Sequence, residues 1–149
     1  MEQLDPTNPV VALCADGMAA ELRGEFGTAL RLFEQAWAAS TDDNERCVSA
    51  HYVARHQDGP ASTLEWNQRS LRLALSVGDE RVSGFFPSLY LNIGRSHEEL
   101  GDLAAARASY QQASAVLGRL NDDAYGDMLR DGITRALLRT EGVDDHDNR

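Results

Sequence analysis

Five residues recur with the same spacing in two parts of this chain, and this recurrence constrains the fold more than any other feature of the sequence. In each copy, two glycines are followed by an alanine, an aromatic residue and a second alanine, at steps of 7, 5, 4 and 3 residues. The two copies are Gly17, Gly24, Ala29, Phe33 and Ala36, and Gly94, Gly101, Ala106, Tyr110 and Ala113. Small residues at helical spacing let two antiparallel helices approach closely, and an aromatic side chain fills the space beside them. The pattern therefore predicts repeated helical hairpins.

The second copy carries a longer motif. It begins with Tyr90-x2-Ile93-Gly94-x2-His97 and continues with Ala106-x3-Tyr110. This order of residue types resembles the signature of the tetratricopeptide repeat. The resemblance implies an all-α fold, in which antiparallel hairpins form a right-handed superhelical array (an alpha-alpha superhelix). It also implies a protein that binds partners rather than one that performs chemistry.

Turn-forming residues divide the chain into segments of helix length. They predict hairpins over about 9–41, 43–77 and 80–120, and a C-terminal capping helix over about 124–140. Together these elements form a single predicted domain over 1–140. Residues 141–149 are acidic with few apolar residues, so the sequence predicts a disordered tail there.

The middle hairpin is the degenerate one. When the positions of the first motif copy are shifted by 34 residues, the place of Gly17 falls on His51, where a small residue is expected. The places of Phe33 and Ala36 fall on Asn67 and Ser70. Trp66 stands one place before the expected aromatic position. The turn and the helix lengths still favour a hairpin, with leucines anchoring its second helix. These leucines are Leu64, Leu71 and Leu75.

Composition narrows the class of protein. A formal net charge of −10 and a pI near 4.7 argue against a nucleic-acid-binding surface. No apolar run approaches the roughly 20 residues of a membrane helix, and the acidic segment 1–10 does not resemble a secretory signal. Cys14 and Cys47 are too few for a disulfide framework, which favours a reduced, cytoplasmic protein. All 14 basic residues are arginine, which with abundant alanine indicates a GC-rich bacterial genome.

No constellation of residues predicts catalysis, and we expect neither a metal nor a cofactor. Cys47 and His51 lie four residues apart, which fits either half a metal site or two side chains packed in the hairpin core; we favour the core. The run of His97, Glu98 and Glu99 lacks the second histidine of a zinc helix. Acidic pairs such as Asp42-Asp43 stand at helix starts, where carboxylates cap backbone N–H groups.

In arrays of the kind that this chain resembles, the first helix of each hairpin lines a concave groove. The groove positions predicted from this resemblance are Cys14, Met18, Leu22, Val48, Tyr52, Arg55, His56, Ser88, Leu91, Asn92, Arg95 and Glu99. Within them we define the predicted binding set as Tyr52, Arg55, His56, Asn92, Arg95 and Glu99. Arg55, Asn92 and Arg95 would hold a carboxylate or a peptide backbone, and Tyr52 would stack on an apolar side chain. The alternative is that Arg55 and Arg95 merely pair with surface acids.

The sequence therefore predicts a non-enzymatic scaffold that binds a peptide, a protein helix or a second copy of itself as a two-fold dimer. One alternative is a protein that handles a small molecule or a metal through the cluster of His51, Tyr52, Arg55 and His56. Another is a peptide-sensing module related to transcription regulators. In either case we expect no nucleic-acid or membrane partner for this domain.

Overall fold

The structure, a computed structural model, describes residues 7–78 and 80–143, without the side chains of Glu80 and Arg81. Every element of regular secondary structure in these residues is a helix, which confirms the predicted all-α class. The α-helices are α1 (Pro9–Leu22), α2 (Phe26–Ala39), α3 (Asp43–Val53), α4 (Pro60–Val77), α5 (Glu80–Ser83), α6 (Phe86–Glu99), α7 (Leu103–Ala115) and α8 (Ala124–Arg139). Short 3-10 helices follow α3 (Ala54–His56) and α7 (Leu117–Arg119). From Asp144 onward, the predicted acidic tail lies outside the described residues.

The chain divides into two compact units between Val82 and Ser83. In the first unit, α1 packs against α2, α3 packs against α4, and α2 also contacts α3. In the second unit, α6 packs against α7, and α8 packs against both of them. Each unit thus contains helical hairpins with a core of their own.

Two glycines set how closely the paired helices approach. A Cβ atom added at Gly17 of α1 would overlap the ring of Phe33 on α2, and one added at Gly94 of α6 would overlap the ring of Tyr110 on α7. Both aromatic side chains are fully buried. The two copies of the sequence motif therefore make the same packing contact, in which an aromatic ring lies directly against a glycine backbone.

The middle hairpin packs differently. His51 and Asn67 stand at the motif positions that glycine and an aromatic residue occupy in the other hairpins, and both are buried. Polar side chains therefore take these places in the middle hairpin. The Ser70 hydroxyl donates a 2.8 Å hydrogen bond to the backbone oxygen of Cys47, which ties α4 to α3. Leu75 is 60% exposed, so the prediction that it anchors α4 was wrong. The buried stripe of α4 consists instead of Asn67, Ser70 and Ala74.

Aspartates cap the N-terminal ends of α3 and α8. The carboxylate of Asp42 accepts a hydrogen bond from the backbone N–H of Glu45 at 2.8 Å, and Asp123 accepts one from Gly126 at 2.8 Å. These acids therefore have the predicted capping role. Pro87 lies in the first turn of α6, where it has no N–H bond to lose.

The face of α8 that packs on α6 and α7 is apolar. Leu129, Ile133 and Ala136 are buried in one cluster with Leu91 of α6 and residues of α7. The α7 residues in this cluster are Ala106, Tyr110 and Ala113. Helix α8 thus covers the apolar surface that the preceding hairpin would otherwise expose, as the sequence predicts for a capping helix.

Candidate functional site

The predicted binding set divides equally between the two units. Tyr52, Arg55 and His56 belong to the first unit, whereas Asn92, Arg95 and Glu99 belong to the second. Each group forms a candidate site on its own unit. We call them the aromatic cluster and the α6 polar face.

Glu21 of α1 is the electrostatic centre of the aromatic cluster. Its side chain is 12% exposed, and its Oε2 atom lies 3.1 Å from Arg55 Nε. The same oxygen hydrogen-bonds to Nε2 of His56. Both contacts join α1 to the 3-10 turn Ala54–His56, so one carboxylate fixes two residues of the predicted set. Arg55 thus pairs with an acid, as the alternative interpretation had it, but the acid is one that the sequence did not single out.

Aromatic rings extend this cluster on both sides of His56. The His56 imidazole stacks on Phe26 with a centroid distance of 5.4 Å, and it lies 6.1 Å from Phe33 with the rings nearly parallel. Phe33 in turn stacks on Tyr52 at 5.1 Å. The Arg55 guanidinium lies over the Tyr52 ring at 5.4 Å. Stacked rings and a guanidinium over an aromatic face stabilise each other and hold the cluster in one geometry.

The outer edge of the aromatic cluster is apolar and accessible. Phe26 is 56% exposed, and two apolar residues of α1, Leu22 and Met18, are also exposed. Arg55 is also exposed: 45% of its side chain is accessible to solvent, although its Nε atom pairs with Glu21. The cluster therefore offers a positioned guanidinium next to exposed apolar side chains.

The α6 polar face consists of Asn92, Arg95 and Glu99, which share one side of the helix at spacings of three and four residues. Arg95 and Glu99 are exposed, and Asn92 is partly exposed. Within the part of the chain that the structure describes, none of these three side chains has a hydrogen-bond or ion-pair partner. They differ in this respect from Arg55, which pairs with Glu21. The charge of Arg95 does act on the neighbouring Glu98, whose pKa is lowered mainly by hydrogen bonds from Arg139 and to a lesser degree by Arg95.

Gly132 of α8 has no side chain, and this leaves space for the guanidinium of Arg95. A Cβ atom added at Gly132 would lie 3.4 Å from the Nη2 atom of Arg95 and 3.5 Å from Cδ2 of Leu91. The guanidinium therefore rests close to the backbone of α8 while its other side faces solvent. Helix α8 thus forms one wall beside the α6 polar face.

Next to this face, Glu98 makes a network that the sequence analysis missed. Its carboxylate accepts a 2.6 Å hydrogen bond from the Tyr110 hydroxyl and two 3.0 Å hydrogen bonds from Arg139 of α8. The bonds from Arg139 lower the pKa of Glu98, and burial together with the bond to Glu98 raises the pKa of Tyr110 to about 12. One feature of the sequence indicates this network: the motif position that is Phe33 in the first copy is Tyr110 in the second. The added hydroxyl needs a hydrogen-bond partner, and Glu98 provides it.

Four predicted groove positions do not line any surface. Cys14, Val48, Ser88 and Leu91 are buried, because neighbouring helices cover the sides of α1, α3 and α6 that carry them. That part of the groove prediction was wrong. The predicted groove residues that do reach solvent are the binding set itself together with Met18 and Leu22.

Cys47 and His51 both lie in the core of the middle hairpin. Cys47 is fully buried with its sulfur 3.5 Å from the Ser70 hydroxyl, and burial raises its pKa. Burial and the nearby Arg55 charge lower the pKa of His51 to about 4. Over the described residues, no three side chains of His, Cys, Asp or Glu converge as a metal site requires. The packing interpretation of this pair is therefore the one that the geometry supports.

Comparison with known proteins gives no relative: no protein-family model, no curated protein and no solved structure matches this chain. Among the described helices, none combines the length and the apolar character needed to cross a bilayer.

Proposed function

We propose that this chain is a non-enzymatic scaffold of the tetratricopeptide-repeat type that binds a protein or peptide partner. In this proposal the hairpins belong to a right-handed superhelical array, and the protein acts in the cytoplasm. The recurring glycine–aromatic contact supports the repeat assignment, because Gly17 with Phe33 and Gly94 with Tyr110 pack alike in separate hairpins. Each pair also has the same sequence separation.

The observation that carries the binding proposal is the unsatisfied polar surface of α6. Asn92, Arg95 and Glu99 present an amide, a guanidinium and a carboxylate on one helix face, and none of them has a hydrogen-bond or ion-pair partner among the described residues. An asparagine amide can both donate to and accept from an extended backbone. An arginine can hold a carboxylate through two parallel hydrogen bonds. This combination suits a peptide that carries an acidic side chain or its own terminal carboxylate.

The aromatic cluster supports the same function on the other unit. The Glu21 carboxylate and the Tyr52 ring hold Arg55 in place, so little side-chain freedom is lost when a partner binds its Nη atoms. Phe26, which stacks on His56, supplies exposed apolar area at the edge of the cluster. Arginine and aromatic side chains of this kind frequently dominate the energy of protein interfaces.

A peptide-display experiment tests this function. Random peptides are selected on the immobilised full chain, and the affinity of the best binders is measured by calorimetry for the parent and for Arg95→Gln. Loss of a charge-assisted hydrogen bond should weaken binding about tenfold or more. Arg55→Gln should have the same effect on peptides that contact the aromatic cluster.

Arg72→Gln is the matched control, because Arg72 is an exposed arginine of α4 that also lacks a described partner. It should bind the selected peptides as the parent does. If Arg95→Gln and Arg55→Gln both retain parental affinity for every selected peptide, neither site carries the function. Selection of no peptide at all would count against the scaffold proposal itself.

A further inference from the structure

The outward face of α8 carries a set of exposed residues that belongs to neither the aromatic cluster nor the α6 polar face. Met128 is 60% exposed and Leu138 is 64% exposed, although both are large apolar residues on a helix whose other face is packed in the core. Between them in sequence lie Asp131 and Arg135, both exposed, which form an ion pair with 3.1 Å between Oδ2 and Nε. We call these four residues the α8 outer face.

Charge is ordered along this helix. Asp127 and Asp131 lie in its N-terminal half, whereas Arg135 and Arg139 lie in its C-terminal half. Acids near the start and bases near the end of a helix also follow the direction of the helix dipole. A copy of the same helix running in the opposite direction would therefore bring its C-terminal bases to the acids Asp127 and Asp131. Arg130 also lies in the N-terminal half, but it bonds to Asp127 and to the backbone oxygens of Leu120 and Asn121.

We propose that the α8 outer face binds the same face of a second copy of this chain, with the two helices antiparallel about a two-fold axis. An axis at the height of Ile133 places Asp131 opposite Arg135 of the partner subunit, because each of these residues is two positions from Ile133. The same axis places Met128 level with Leu138 of the partner subunit, each five positions away. One axis thus pairs both charges of the α8 outer face with their opposites and both of its apolar side chains with each other.

Self-complementarity is the reason to choose a second copy as the occupant. A two-fold interface uses one patch twice, so the patch must be complementary to itself when the chain direction is reversed. The rest of the molecule disfavours association between copies, since each carries a formal net charge of −10. The ordered charges of α8 supply the local attraction that sets both the direction and the register of the pair. A single pair of helices makes a small interface, so the dimer is expected to be weak and to dissociate on dilution.

Charge reversal gives a decisive experiment on the full chain. Sedimentation velocity over a concentration series measures the dimer fraction of the parent, of Asp131→Arg and of Arg135→Asp. In each variant alone, the reversed residue meets a like charge on the partner subunit, so dimerisation should fall at least tenfold. When the two variants are mixed in equal amounts, every facing pair is opposite in charge, and a mixed dimer should form at least as readily as the parent dimer.

Arg72→Asp is the control, since it changes the net charge as Arg135→Asp does but lies on α4. It should dimerise as the parent does, and circular dichroism should show all variants folded. A parent that stays monomeric at every concentration overturns the proposal. So does a mixture that dimerises no better than its two components, or single variants that dimerise like the parent. Arg95→Gln should dimerise normally, which separates this proposal from peptide binding at the α6 polar face.

Discussion

Gly17 and Gly94 have no room for a methyl group. We expect Gly17→Ala and Gly94→Ala each to destabilise the fold by about 1–3 kcal/mol, because the new Cβ atom would overlap a buried aromatic ring. Chemical denaturation of the purified variants measures the effect. The loss should exceed the small gain that alanine gives over glycine in a helix.

Gly27→Ala is the internal control for these substitutions. Gly27 lies in α2, and a Cβ atom added there would meet nothing within 4 Å. This variant should be more stable than the parent by at most about 0.5–1 kcal/mol, which is the gain for a helix interior, because Gly27 lies in the first turn of α2. Equal effects of alanine at Gly17, Gly94 and Gly27 would contradict the glycine–aromatic packing.

His51 makes stability depend on pH. Its pKa is lowered from 6.5 to about 4 by burial and by the charge of Arg55, so the folded protein keeps it neutral where the unfolded chain binds a proton. Stability should therefore fall as the pH drops from about 6.5 to about 4, by at most about 3 kcal/mol. Denaturation curves across this range measure the slope.

The control for the pH experiment is a comparison of two histidine variants. His51→Gln removes the group that titrates, so the slope between pH 6.5 and 4 should become flatter even if the variant is less stable overall. His97→Gln retains His51 and should keep the parental slope. A parental slope in His51→Gln would show that other groups cause the pH dependence.

The two cysteines should be chemically inert in the folded state. Burial raises the pKa of Cys14 to about 12 and also raises the pKa of Cys47. The thiolate is the reactive form, and neither side chain is accessible. A disulfide reagent at pH 8 should label both thiols in denaturant and neither in buffer within the mixing time. Rapid labelling of the native protein would indicate that α1 or α3 opens readily.

At the scale of helices, Glu98 joins three elements of the second unit. It lies on α6, and it bonds to Tyr110 of α7 and to Arg139 of α8. We expect Glu98→Gln to cost about 1 kcal/mol or less, since the pair with Arg139 is partly exposed. Thermal unfolding provides the measurement. Glu99→Gln, one residue along the same helix and without a described partner, should change stability by less than about 0.5 kcal/mol.

The sequence predicts elements better than it predicts which residues each element buries. The hairpins followed from Gly94 and Tyr110, because a glycine and an aromatic residue at a fixed spacing leave few ways to pack two helices. In α4, the leucines indicated one face, but the structure buries Asn67 and exposes Leu75. Asn67 stands 34 residues after Phe33, so the period of the repeat predicts a buried position there. In α4 this period predicts the buried residues better than hydrophobicity does.

The same limit applies to the candidate sites. Arg55 and Arg95 were predicted from the outward side of a first helix, and both are indeed exposed. Neither the carboxylate of Glu21 beneath Arg55 nor the open backbone at Gly132 beside Arg95 could be read from the sequence. These contacts join residues that lie more than 30 positions apart, and helical periodicity holds no information on such pairs.

At the scale of the whole molecule, the division between Val82 and Ser83 bears on how the chain unfolds. Each unit buries a cluster of its own, and a compact unit with its own core can open without the rest of the chain. The sequence predicts one domain over 1–140, whereas the structure divides into two compact units. Whether the two units unfold together or separately distinguishes one domain from two.

Hydrogen exchange measured by mass spectrometry decides between them. If the units open separately, Gly17→Ala should speed the exchange of protected amides before Val82 and leave those after Ser83 at the parental rate, because Phe33 belongs to the first unit. Gly94→Ala should show the reverse pattern through Tyr110. If each substitution instead accelerates protected amides in both units to the same degree, the chain opens as one cooperative domain. The core of either unit would then depend on the other, and the glycine–aromatic contacts would stabilise the molecule as a whole.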